Sequence, residues 1–209
     1  MKTLKIAVLV FCIALSFNQG FTQEINYNSI LKKNGTDNSI ATLRFYGALA
    51  HQHQDYFNQA FSLQGVEAGL ILRDHLFLGI YGSAFVSNLK VEIENNPMYI
   101  LMNQAGFCGG YLRKSSKLIH AGVVVYAGYF SLAGDDEAMP LFRIAEHEIS
   151  ISGLVLSPQV FGELNVTNRM KFRTGLAYNF YSFGNNSRVS ESDLENISIN
   201  FGFLFGKFN

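Results

Sequence analysis

Residues 196–209 read NISINFGFLFGKFN. Ile197, Ile199, Phe201, Phe203 and Phe205 fall on alternate positions, opposed by Ser198, Asn200, Gly202 and Gly206. Successive side chains of a β-strand point to opposite faces. One face of this segment is therefore wholly apolar, and the other is mainly small or polar. The end of a soluble domain is ordinarily polar and frayed; this one is built to be coated by something greasy.

The same period runs upstream. Met170, Phe172, Thr174, Leu176, Tyr178 and Phe180 alternate with Lys171, Arg173, Gly175, Ala177 and Asn179. In the segment from Ser152, Leu154, Leu156, Val160 and Leu164 stand against Gln159, Glu163 and Asn165. Near the start, Leu43, Phe45 and Leu49 oppose Thr42, Arg44 and Tyr46. Eight strands are expected, over 40–51, 61–73, 76–87, 99–112, 118–131, 149–165, 170–183 and 196–208. Each exceeds the roughly 5–6 residues of an average globular strand and matches the ~9–11 that a tilted strand needs to cross a bilayer. The stretches 61–66 and 99–112 hold their phase poorly. Pro158 has no N–H for a ladder and is expected to mark a bulge.

The connections alternate. RDHL (73–76), RKSSK (113–117) and VTNRM (166–170) are short. QHQDYFNQ (52–59), NLKVEIENNP (88–97), AGDDEAMPLFRIAEH (133–147) and GNNSRVSESDLE (184–195) are long and polar. Short turns on one side and long loops on the other belong to an up-and-down barrel that spans an outer membrane. An even number of strands returns the C-terminus to the side of the N-terminal arm.

Composition agrees with this reading. The 209 residues include 19 Gly, 19 Phe and 10 Tyr, but no Trp. Charged residues make up 15%, against roughly 25% in soluble domains. Beyond the N-terminus no run approaches the ~20 apolar residues of a spanning helix. The formal charge is +0 and no basic patch stands out, so nucleic acid is not an expected partner. Lys2 and Lys5, followed by the apolar run Ile6–Leu15 and by Gly20 and Thr22, mark residues 1–22 as a signal peptide. Residues 23–39 read as a flexible arm, and 40–209 as the barrel. Loss of Cys12 with the signal peptide leaves Cys108 alone, so no intrachain disulfide is expected.

Alternation alone does not say which face is outside. A soluble barrel around an apolar ligand has the same period with the faces inverted. Lipid outside is favoured by the sidedness of the loops and by the small residues of the polar face. Tyr99, Tyr111, Tyr129, Phe130, Tyr181 and Phe183 near strand ends are expected to form interfacial girdles. The direction of Arg44, Glu67, Glu163 and Arg173 separates the two readings.

The signal segment, the strand and turn plan and the closing INFGFLFGKF together resemble small outer-membrane β-barrels of the OmpX or OmpA-transmembrane type. The nearest likeness is to porin-family barrel proteins of Bacteroidota, over Ile40 to Phe208. The resemblance implies an all-β, eight-stranded antiparallel barrel in the outer membrane of a Gram-negative bacterium. Its partners are then outer-membrane lipid, the barrel-assembly machinery during insertion, and an unidentified extracellular ligand. It also implies that the machinery reads the last strand through Phe201, Phe203, Phe205 and Phe208. Phe208, however, is penultimate and out of phase with the other three.

Candidate chemistry is sparse. Arg44, Glu67, Glu163 and Arg173, with Lys171, are expected to share the lumen as a structural charge network, since a buried charge needs a partner. Eight strands leave an interior just wide enough for side chains, so a general diffusion pore is not expected. His51, His53 and Asp55 fall on one side if the first strand continues, a spacing that suits two ligands of Zn²⁺ or Cu²⁺; solvated loop histidines are the plainer reading. His147 lies between Glu146 and Glu148. No nucleophile motif surrounds Ser150, although a Ser–His–acid set at the outer rim, drawn from Ser150, the histidines and Asp55, defines a lipid-modifying alternative. Asp135 to Glu137 form an acidic loop tip. No cofactor, no metal and no enzymatic activity are expected, and the role is structural or one of binding through the outer loops.

Overall fold

The structure is a computed structural model that describes residues 43–56, 59–72, 75–85, 89–93, 96–113, 118–135, 149–184 and 190–208. The expected signal peptide and arm, Asp136, Glu137 and His147 lie outside the described residues. Nine antiparallel strands form one sheet among them. They are β1 (Leu43–Tyr56), β2 (Gln59–Leu72), β3 (Leu76–Phe85), β4 (Leu89–Ile93), β5 (Asn96–Arg113), β6 (Ile119–Asp135), β7 (Ile149–Thr167), β8 (Met170–Phe183) and β9 (Asn196–Gly206). Pairing of β1 with β9 and of β3 with β5 closes eight of them into a ring.

The register measures the stagger of that ring. A rung of directly paired residues runs from Arg44 through Ile71, Phe77, Gly110, Val124, Gln159, Ala177 and Ser198 to Gln54. It returns to β1 ten residues further along. With ~3.3 Å per residue and ~4.8 Å between strands, this stagger tilts the strands by roughly 40°. A rung therefore climbs about 3 Å towards the long-loop end at each strand, passing from β1 to β9.

The outer face is apolar. Phe45, Leu49, Val66, Leu78, Ile80, Val125, Leu154, Leu176, Phe201, Phe203 and Phe205 are all exposed, and Phe107 is 72% exposed. The inner face holds Glu67, Glu163, Lys171 and Arg173, all buried. This polarity is that of a barrel bathed in hydrocarbon, and it excludes the soluble alternative.

Inside, two apolar clusters sit at opposite ends. The one at the long-loop end includes Phe61, Leu63, Ile100, Met102, Phe130, Ile151 and Tyr181. A helical turn, Glu191–Leu194, seats a fully buried Leu194 on it. The cluster at the short-turn end includes Tyr46, Phe77, Leu112, Val124, Phe161 and Leu204, with Phe208 packed against it. Glycines make room for the rings: a Cβ on Gly110 would lie 2.5 Å from the Phe77 ring, and one on Gly128 would lie 2.8 Å from the Tyr81 hydroxyl.

Several expectations are corrected. β1 and β2 run on to Tyr56 and from Gln59, so the first outer loop shrinks to residues 57–58. Part of the second forms β4, which pairs with Asn96–Ile100 on the same edge of β5 as β3 and lengthens the wall. Pro158 makes no bulge: pairing with β6 is unbroken, the ladder to β8 lapses between Leu156 and Gln159, and the register is unchanged. A missing donor interrupts bonding without inserting a residue. The register shift lies instead between Asn165 and Thr167. Of the expected girdle, Tyr111 and Tyr129 face outward, whereas Phe130 and Tyr181 are buried in the lumen with Phe183 against them. Their parity within β6 and β8 turns them inward.

The lipid-facing assignment predicts a depth-dependent cost for charge. Phe107→Arg, near mid-belt, should destabilise the barrel by about 2–4 kcal/mol, and Ser131→Arg, near the outer edge, by about 0–1 kcal/mol. Denaturant unfolding in phospholipid vesicles measures both; equal costs would contradict the assignment.

Candidate functional site

The densest polar cluster fills the lower lumen. Glu163 is 1% exposed and stands directly across the ladder from His120 of β6 on one side and Arg173 of β8 on the other. Its Oε2 lies 2.8 Å from His120 Nε2 and accepts from Lys171 Nζ at 3.3 Å. Its Oε1 accepts from Arg173 Nε and Nη2, both at 2.8 Å. Register alone brings these groups together, because their strands alternate in phase.

Arg173 then crosses the lumen. Its Nη1 lies 3.6 Å from Glu67 Oε1 on β2. Glu67 in turn accepts from Tyr46 Oη at 2.6 Å and Tyr126 Oη at 2.9 Å. The guanidinium lies 4.5 Å from the ring centre of Phe161 and 5.1 Å from that of Phe77. Five strands, β1, β2, β6, β7 and β8, are thus tied through two carboxylates by Arg173, Lys171, His120, Tyr46 and Tyr126. Both carboxylates are engaged on both oxygens.

Arg44 also points inward, at the short-turn rim, where its Nη1 donates to the Phe208 carbonyl at 2.6 Å. The Phe208 N–H donates to Asn168 O, and Lys171 Nζ lies 4.5 Å from the Phe208 ring centre. Phe201, Phe203 and Phe205 face outward, and the out-of-phase Phe208 folds into the mouth of the barrel.

Above the charges lies a layer of amides. Asn179 Nδ2 donates to Gln54 Oε1 at 2.9 Å and Gln52 Nε2 to Ser198 Oγ at 3.1 Å; Gln104 Nε2 donates to Tyr181 Oη at 2.9 Å. A cavity of about 80 Å³ lies beside Glu67, Arg173, Gln104 and Gln159. It has room for a handful of waters, and Ser83 Oγ, on its lining, has no protein partner among the described residues. The layers are stacked apolar, amide, ionic, apolar, with the cavity set between the amide and ionic layers.

His51 and His53 follow β1 on the outer face, where His53 Nδ1 lies 3.3 Å from Ser62 Oγ and the His51 ring packs 4.7 Å from Phe201. His51 falls within the expected strand 40–51, and His53 stands on its continuation, not in a loop. Among the described residues no group of three His, Cys, Asp or Glu is placed to hold a metal ion. Ser150 is on β7, with β8 and β9 between it and the histidines of β1. Sequence reasoning misses His120, Tyr46 and Tyr126 as members of the network. For His120 a signal exists: it shares inward parity with Gly122, Val124 and Tyr126.

Among solved structures, the chain is similar to Neisserial surface protein A at 12% identity, over 79% of this chain and 97% of that one, with a TM-score of 0.55. It is likewise similar to the outer membrane protein OprG of Pseudomonas aeruginosa at 10% identity, over 79% and 96%, with a TM-score of 0.50. No family model and no curated protein matches. The closed ring of eight, its outward apolar belt and its inward charges define a small outer-membrane β-barrel, the class to which both of those structures belong. The protein is accordingly placed in the outer membrane of a Gram-negative bacterium.

Removing one member of a buried ionic cluster leaves the others uncompensated. Glu163→Gln should cost about 3–5 kcal/mol. Adding Arg173→Met should recover part of that loss, so that the double variant is less destabilised than the sum of the singles. Equilibrium unfolding of the four proteins in vesicles checks the coupling; strict additivity would dissolve the network.

Proposed function

We propose that the protein is a sealed barrel that acts as a membrane-anchored scaffold for binding at the cell surface. The observation that carries this reading is the occlusion of the lumen at two levels, by the Phe61–Leu194 cluster above and the Phe77–Phe208 cluster below, with the ionic layer between. A barrel filled in this way offers solutes no continuous path. Its ionic network then has a structural role, fixing the wall so that the outer elements are presented rigidly.

The length of β5, β6 and β7 supports a binding role. These strands have 18, 17 and 19 residues, well beyond the ~9–11 required to cross a bilayer. With β4 they form a sheet that continues past the apolar belt on the long-loop side. Binding is commonly housed on segments held by a rigid scaffold. The lipid-facing Phe201, Phe203 and Phe205 of β9, with Phe208 just beyond them, suit recognition by an assembly machinery during insertion. No catalytic step is assigned.

Two measurements test this function. In planar bilayers the purified protein should give no sustained conductance steps; open steps would overturn the sealed-scaffold reading. Replacing residues 87–98 by a short turn should lower attachment of expressing cells to a basement-membrane gel several-fold, with heat-modifiable migration of the barrel retained. Unchanged attachment would remove this hairpin from the binding surface.

A further inference from the structure

The apolar belt is uneven. Because rungs climb by about 3 Å per strand, while each residue along a strand rises about 2.5 Å, residues at one height are found by stepping down the ladder from β1 towards β9. By that construction His51 is level with Val66, Phe107, Val125 and Leu176. All four are exposed, lipid-facing and apolar. Gln64 and His53 stand only slightly higher, whereas exposed Tyr129, Leu154 and Ile197 on the far wall stand higher still. On β1 and β2, polar side chains thus descend roughly 10 Å into the outward apolar zone.

The same wall is hollowed. A groove of about 630 Å³ runs over β9, β1, β2 and β3, lined by Leu49, Val66 and Phe203 below, His51 and Gln64 above, and Gly82 at its floor. Gly82 faces outward, and a Cβ there would meet nothing nearer than Gln104 O at 3.9 Å. The groove is therefore open because a side chain is missing, not because the backbone forbids one. It is continuous with the lipid-facing surface, so lipid is what reaches it.

The chemistry of the upper wall narrows the occupant. The imidazole of His51 and the amide of Gln64, cross-strand neighbours at this height, both donate and accept. A partner at this depth must also donate. Ester linkages of a diacylglycerophospholipid only accept; amide-linked hydroxyacyl chains do both. We propose that this wall holds one outer-leaflet glycolipid of the lipid A type, with an acyl chain in the groove over Gly82 and its amide and hydroxyl groups bonded to His51 and Gln64. These two side chains are then paired with a ligand group at a depth where hydrocarbon alone offers none.

The test is native mass spectrometry of the purified barrel in non-ionic detergent, titrated in parallel with lipid A and with dioleoyl phosphatidylethanolamine. One lipid A per barrel should be retained at a concentration about tenfold below that needed for the phospholipid. Gly82→Leu, which fills the groove, and Gln64→Leu, which removes the donor, should each weaken lipid A retention by about tenfold. Ala127→Leu, outward on β6, should leave it unchanged. Heat-modifiable migration verifies that each variant is folded. Equal retention of the two lipids, or retention indifferent to Gly82→Leu, would overturn the assignment. So would a dimer peak abolished by Gly82→Leu, which would make a second barrel the occupant.

Discussion

Hydrocarbon supplies no hydrogen bonds, so a chain that enters it must satisfy every backbone group from within. Closure of β1 on β9 and of β3 on β5 does this for the eight strands of the ring. The rest of the structure follows. A ring of eight leaves little interior, so each inward side chain must pack or pair. A stagger of ten residues sets the tilt, and the tilt decides which residues share a height in the bilayer.

Within that small interior the charges are not decoration. Glu163 and Arg173 face each other across one ladder, and Arg173 reaches Glu67 on the opposite wall. Ties across a lumen restrain deformation of the ring in a way that ladder bonds between neighbours do not. The aromatic hydroxyls of Tyr46 and Tyr126 complete the acceptors of Glu67. This is the arrangement expected of groups that must be buried charged in a low-dielectric interior.

The legible parts of the fold are those where the two faces differ in chemistry. β8 and β9 place Lys171, Arg173, Asn179, Ser198 and Asn200 opposite Phe172, Leu176, Phe201 and Phe203, so parity is plain in the sequence. Residues 61–66 and 99–112 hide theirs, because the apolar plug at the long-loop end puts Phe61, Leu63, Ile100 and Met102 inside. A lumen that is greasy at its ends and ionic in the middle defeats a two-letter pattern there. The extension of β1 through His51 and His53 resembles a loop for the same reason: polar residues stand on the lipid side of a strand. Glu163 and Arg173 are visible as inward charges. His120, a single imidazole within an apolar run, shows only through the parity it shares with Gly122, Val124 and Tyr126, and its partner is set by register.

The tail has a consequence for assembly. Phe208 is gripped by Arg44 of β1 through its carbonyl, by the β7–β8 turn through its N–H, and by Lys171 of β8 over its ring. That seat is drawn from both flanks of the seam where β9 meets β1. In an open sheet its Arg44 side is missing. Phe208 is therefore a latch across the seam, complete only when the first and final strands have met.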